Sequence, residues 1–237
     1  MRAGNIKKLL FFALFISFLL LNVGRAQDNN DKNRRNYPVG NFDRINMEGN
    51  YRVFFYYSSS PFLKIEAPSD DMYDDIEVDS NRGILKISVR HRNFNLNRIQ
   101  LHIGIPALRE LNVNGGIKLT SDGYIETGDL DIQLEGGANV DMSLKARKIN
   151  VKSEGGVILE MRGVAESLAV TVFGAGHVNA RELETKEVFF RVEGAGFGSV
   201  YATDLLDVKI EGVGKVTFKG QPEVKRIIEG LGKVEQY

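Results

Sequence analysis

Glu110, Asp131 and Asn150 each stand five residues before a glycine, at 115, 136 and 155, with Asp129 and Lys148 two residues earlier in the second and third segments. If those segments are extended and lie side by side, the three polar groups share one outward face. Carboxylates on adjoining strands could hold calcium, or act on a polysaccharide as an acid and base pair about 5–9 Å apart. A solvated polar surface would carry the same residue types, so no catalytic residue is assigned and the binding residues are left open.

A second column is more regular. Immediately before the recurring glycines stand Asn114, Glu135, Glu154, Phe173, Glu193, Glu211 and Glu229. Stacked like charges repel and need a partner. Lys152, Arg191 and Lys209 lie two residues earlier on the same face, which suits a lattice of Lys152–Glu154, Arg191–Glu193 and Lys209–Glu211, with Lys215 and Lys233 just past two of the corners. The pattern reads as a salt-bridged solvent face, and a strip for a cation or cationic ligand is its functional alternative.

Other motifs fail on context. Gly174-Ala175-Gly176, Gly194-Ala195-Gly196, Gly212-Val213-Gly214 and Gly230-Leu231-Gly232 resemble half of a dinucleotide fingerprint. No third glycine is correctly placed, and no helix follows to offer its N-terminus to phosphate. His91, His102 and His177 are far apart and give no metal-ligand spacing. The acidic stretch Asp70, Asp71, Asp74, Asp75, Glu77, Asp79 lacks the spacing and central glycine of a calcium loop and reads as a solvated loop. No metal and no cofactor is expected.

The elements that must position these residues are strands. From Phe42 onward apolar and polar residues alternate in short runs (Tyr51, Val53, Phe55; Leu85, Ile87, Val89; Leu101, Ile103, Ile105), divided by Ser58-Ser59-Ser60-Pro61 and Asp79-Ser80-Asn81-Arg82-Gly83. The stretch Ser69 to Asp79 could form at most a short helical turn. From about residue 108 a glycine recurs at 115, 136, 155, 174, 194, 212 and 230. Four residues before it stand Leu111, Ile132, Val151, Val170, Phe190, Val208 and Arg226. Two before it stand Val113, Leu134, Ser153, Val172, Val192, Ile210 and Ile228, and four after it Leu119, Val140, Leu159, Val178, Gly198, Val216 and Val234. Such columns predict an all-β fold: a right-handed parallel β-helix, or β-solenoid, of about seven coils of 18–21 residues, with a β-rich segment before it. The glycines would be its corners, with positive φ or a close backbone approach. An antiparallel sandwich explains the alternation but not the fixed period. Arg226 in a ladder column and Gln221-Pro222 in the last coil read as guards against end-to-end stacking, so a monomer is expected.

Composition bounds the chemistry. The chain has 237 residues, no Cys, no Trp, and 31 basic against 31 acidic residues. Without Cys there is no disulfide, thiol nucleophile or cysteine-based metal site. Arg2, Lys7, Lys8 and Arg25 lie in the first 26 residues, which hold no acidic group, so the rest is mildly acidic. It offers no electrostatic footprint for nucleic acid. Arg2, Lys7 and Lys8 precede an apolar run from Leu9 to Leu21, too short for a membrane span but right for a signal peptide. Small Gly24 and Ala26 place cleavage before Gln27; an uncleaved signal anchor is the alternative. The expected organisation is a signal peptide over 1–26, a flexible leader over 27–39, and one domain over 40–237 with no stable membrane span after cleavage.

Phe42-Asp43-Arg44-Ile45-Asn46 with Gly49-Asn50-Tyr51-Arg52-Val53, the segment Ile105-Pro106-Ala107-Leu108-Arg109-Glu110-Leu111-Asn112-Val113 leading into Gly115-Gly116, and the later Glu-Gly-x-Gly units resemble the putative auto-transporter adhesin head GIN domain. The likeness runs from about residue 40 to 237. It implies a secreted β-helical envelope domain for which adhesion has been proposed, and it carries over no catalytic or ligand residue. The expected function is an exported, non-enzymatic adhesin-like or envelope-structural module, located in the periplasm, at the outer surface or outside the cell. Its partner would be a surface glycan or a protein. The alternative is a glycan-binding or polysaccharide-cleaving domain using the outer face near Glu110, Asp131 and Asn150.

Overall fold

The computed structural model describes residues 33–89 and 99–237. The expected signal peptide and His91 lie outside the described residues. Among the described residues there are twelve strands: β1 (Arg34–Tyr37), β2 (Arg44–Gly49), β3 (Arg52–Tyr57), β4 (Phe62–Glu66), β5 (Ile76–Asn81), β6 (Ile84–Val89), β7 (Gln100–Ile105), β8 (Glu110–Gly115), β9 (Lys118–Glu126), β10 (Asp129–Gly136), β11 (Asn139–Lys219) and β12 (Glu223–Gln236). A short 3-10 helix, Asp70–Asp75, sits between β4 and β5, inside the stretch that allowed a helical turn. No helix among the described residues is long and apolar enough to cross a membrane.

The fold is all-β, but it is not the expected right-handed parallel β-helix. The strands form one sheet of mixed orientation, wrapped into a nearly closed barrel in the order β1-β4-β7-β3-β9-β11-β10-β8-β2-β6-β5, with β12 paired to β11. Pairs β1·β4, β4·β7 and β5·β6 are antiparallel. The β5·β6 hairpin is set by Arg82 and Gly83, both at positive φ, the conformation that reverses a two-residue turn. The period in the sequence reported which residues lie abreast. It carried no information on how the sheet's ends pair or close, and that is where the expectation failed.

As registers the columns hold. Leu111 lies beside Ile132 and Ile132 beside Val151, while Val208 lies beside Arg226. The stack also begins earlier than residue 108. Ile45, Met47 and Gly49 of β2 lie beside Leu111, Val113 and Gly115 of β8, and Val53 of β3 beside Leu119 of β9. The supposed preceding segment is thus part of the same stack.

The recurring glycines answer to two constraints. Gly115 has φ 132° and Gly212 φ 126°, in the region that L side chains avoid. A Cβ on Gly115 would lie 2.1 Å from the Gly49 carbonyl oxygen, and one on Gly212 2.3 Å from that of Gly194. Backbone therefore rests on backbone down the whole column.

Inside, the apolar columns make one core that includes Ile45, Leu111, Ile132, Val170, Phe190 and Val208. Each such side chain contributes about 1.5–3 kcal/mol by leaving water. Gly198, which interrupts the apolar column, is buried because the Phe190 ring fills its place: a Cβ there would meet the ring at 2.6 Å.

Candidate ligand-binding face

Alternation sends every second residue of β6, β2, β8, β10 and early β11 outward. Glu110, Asp131 and Asn150 come together as expected, Asp131 lying in register with both neighbours. Asn150 Nδ2 donates to Asp131 Oδ1 at 2.8 Å. Asp129 and Lys148 are abreast, but Asp129 takes its ion pair from Arg147, at 2.5 Å.

One pleat along lies a row of which the sequence reading had taken only Lys152. Lys86, Asn46, Asn112, Gln133 and Lys152 follow one another across five strands. Asn112 Nδ2 donates to Asn46 Oδ1 at 2.9 Å and to Glu110 Oε1 at 2.6 Å, so neighbouring amides and a carboxylate hold one another in place. A further row, Glu48, Asn114, Glu135 and Glu154, is also in register, with Asn114 Nδ2 3.5 Å from Glu135 Oε2.

Two hollows open on this face. The first, of about 420 Å³, is lined by residues that include Asn46, Lys86, Asn112 and Gln133. The second, of about 590 Å³, is lined by Glu110, Asp131, Gln133, Asn150, Lys152, Thr171 and Phe173 among others. Gln133 belongs to both. Ala169 supplies a small side chain to the second hollow, and Phe173 a ring, with Lys152 Nζ 5.2 Å from the ring centroid.

Lys152 is therefore over an aromatic ring, and the charge lattice forms only in part. Lys209 pairs with Glu211 at 2.5 Å, whereas no ion pair joins Lys152 to Glu154 or Arg191 to Glu193 among the described residues. Lys215 pairs with Glu235 at 2.5 Å, and Lys233 reaches the same carboxylate. These two lysines hold the Glu235 carboxyl down at about 2.

The acidic stretch 70–79 forms the 3-10 helix and the start of β5, with Asp70 3.0 Å from Arg35. No group of three or more metal-ligating side chains is found among the described residues. His177 is exposed. His102 is in a stack of rings that sequence reasoning missed: its ring lies 5.1 Å from Phe54 and 5.8 Å from Tyr56, which in turn lies 6.2 Å from Phe62. The Tyr56 hydroxyl is 2.9 Å from His102 Nδ1, and His102 Nε2 is 3.4 Å from Glu66 Oε1, the same oxygen that Arg34 contacts. Burial, then the charges of Arg34 and Lys64, hold the imidazole below its ordinary range. The available signal was β3 itself, where aromatic Phe54 and Tyr56 alternate with apolar Val53 and Phe55, giving a strand apolar on both faces.

A family model described as "Putative auto-transporter adhesin, head GIN domain" matches residues 41–222. Among solved structures, a putative adhesin from Bacteroides fragilis is 26% identical, covers 86% of this chain and 96% of its own, and superposes with a TM-score of 0.81. A protein from Parabacteroides distasonis named as a putative lipid binding protein is 22% identical over 87% of this chain and 98% of its own, with a TM-score of 0.69. A putative adhesin from the same species is 18% identical over 86% and 96%, with a TM-score of 0.66. The latter two bear on the fold alone. No curated protein matches.

Proposed function

The chain belongs to the putative auto-transporter adhesin head GIN domain family, and from that premise we propose that it acts as an exported, non-enzymatic adhesin-type module that binds its partner through the polar face of β6, β2, β8, β10 and β11. The observation that carries this reading is the pair of hollows joined at Gln133. Export is supported by the basic residues and apolar run before Gly24 and Ala26.

No catalytic step is assigned to Glu110 and Asp131. They stand side by side and project the same way, whereas a glycosidase places its two carboxylates on either side of the scissile bond. The test is attachment of protein-coated beads to living cells and to extracellular matrix, beside product analysis on polysaccharides. Attachment without cleavage is the expected result. Beads that attach no better than albumin-coated ones would defeat the reading, and released oligosaccharides would make the protein an enzyme.

A further inference from the structure

We infer that the two hollows are one binding site for an extended, uncharged glycan, lying across the strands over the row Lys86, Asn46, Asn112, Gln133 and Lys152. The inference rests on the adhesin-type reading and names the partner of that face.

Geometry comes first. Neighbouring strands are about 4.8 Å apart, so the row repeats a polar group at that interval over roughly 19 Å. A sugar ring in an extended chain advances by a similar distance, so a linear glycan crossing the strands would present one ring to each step. Gln133 lines both hollows, so a chain occupying the two would cross it on the way from one to the other.

The chemistry of the lining agrees. A sugar hydroxyl both donates and accepts, and a primary amide offers both functions from one side chain. Asn46, Asn112 and Gln133 supply that pairing in the middle of the row. Asp131 lies on one side of it and Glu135 on the other, each able to accept from hydroxyls. Phe173 adds an aromatic ring to the lining of the second hollow, an apolar surface for a sugar's C–H groups beside the Lys152 ammonium 5.2 Å from its centroid.

Charge narrows the class. Acidic rows flank the amides on both sides, Glu110 and Asp131 on one and Glu48, Glu135 and Glu154 on the other, against Lys86 and Lys152 within. Uronates, sulfated chains and phosphate-bearing polymers meet like charge along both flanks. A cationic peptide is the competing occupant, and it differs in a measurable way. Its attraction is screened by salt, whereas hydrogen bonds and ring stacking to a neutral glycan are hardly affected.

The experiment is calorimetric titration of the full chain with neutral glucan, mannan and xylan oligosaccharides of increasing length, with polygalacturonate and oligolysine as the other probes. One neutral series should bind, gaining affinity with length up to about four or five sugars, one per strand step, and holding it at high salt. Gln133→Ala should lower that affinity about tenfold or more with an unchanged thermal midpoint, since the side chain is exposed. Phe173→Ala should lower it likewise, with a small drop in the midpoint because the ring is half-buried. Failure of every neutral series, indifference to both substitutions, or binding only of oligolysine in a salt-dependent manner would overturn the assignment. The bead assay separates this from failure of the broader reading. Attachment that survives periodate oxidation of surface sugars but not protease treatment leaves an adhesin with a protein partner and removes the glycan.

Discussion

The last two turns of the stack place the same columns in different surroundings. In β11, Val208 and Ile210 are fully buried, with β12 laid along them. Their register partners in β12 are Arg226, which is exposed, and Ile228, which is 38% exposed. Around them Val224, Ile227 and Leu231 are exposed as well. An inward position in this fold is thus sealed by the next strand rather than by its own alternation. Among the described residues β12 pairs with β11 alone, and it carries a charge where the others carry a hydrocarbon.

The largest test of that contrast is Val208→Asp against its neighbour Lys209→Asp. Burying an unpaired carboxylate should cost at least about 4 kcal/mol and abolish the cooperative melt. Lys209→Asp loses the Glu211 pair on the surface and should shift the melt only slightly. Equal losses by circular dichroism would reject the inward and outward assignment.

The glycine column sharpens it next. Gly212→Ala forces a Cβ into the Gly194 carbonyl at a φ of 126°, and should cost about 3 kcal/mol or more. Gly123 also has a positive φ, 82°, but open space around its missing Cβ, so Gly123→Ala should cost about 1 kcal/mol. Chemical denaturation measures the difference between the two, which combines the backbone contact at Gly212 with its more strained φ.

At the open end, Arg226→Val should raise the thermal midpoint modestly and promote concentration-dependent association, because it removes the charge guarding an unpaired strand edge. Light scattering that finds the variant as monomeric as the parent would leave Arg226 without that role.

The smallest effect belongs to the partly sealed His102. Its folded pKa lies below the ordinary 6.5, so the unfolded chain binds the proton first as pH falls. The stability tied to the neutral ring is complete above about 6.5 and is lost as pH drops from there through the folded value. Melts of the parent and of His102→Phe across this window should diverge, with the variant flatter.

How much of this was legible in the sequence follows from what alternation and spacing can encode. Buried columns such as Leu111, Ile132 and Val151 were readable because each strand repeats one pattern at one distance from its glycine. Gly49 was not, although it stands in the same column, because a long excursion separates it from Gly115 and hides the period. Strand closure was not readable either, since the antiparallel edges β1 and β5 lie outside the repeat. In the candidate site, Glu110, Asp131 and Asn150 were placed together correctly by column. The hollows beside them are lined by a small Ala169 and a large Phe173 and by amides drawn from four separate strands, differences in side-chain volume that polarity patterns do not record.

The excursion between Gly49 and Gly115 has a consequence for how such a chain can change. Most anchors are separated by 18 to 21 residues, yet these two lie 66 apart and still stack directly, with Gly116 N donating to Asn50 Oδ1 at 2.7 Å just beyond them. The described elements of that stretch include a hairpin and a 3-10 helix, and β3, β6 and β7 within it pair into the same sheet without disturbing the contact. The extra length is therefore taken up after β3, which keeps its own register on β9, while the glycine contact stays fixed. A grafted loop or a reporter peptide inserted in the turn between β3 and β4, inside that excursion, should leave the ladder on either side without a compensating change.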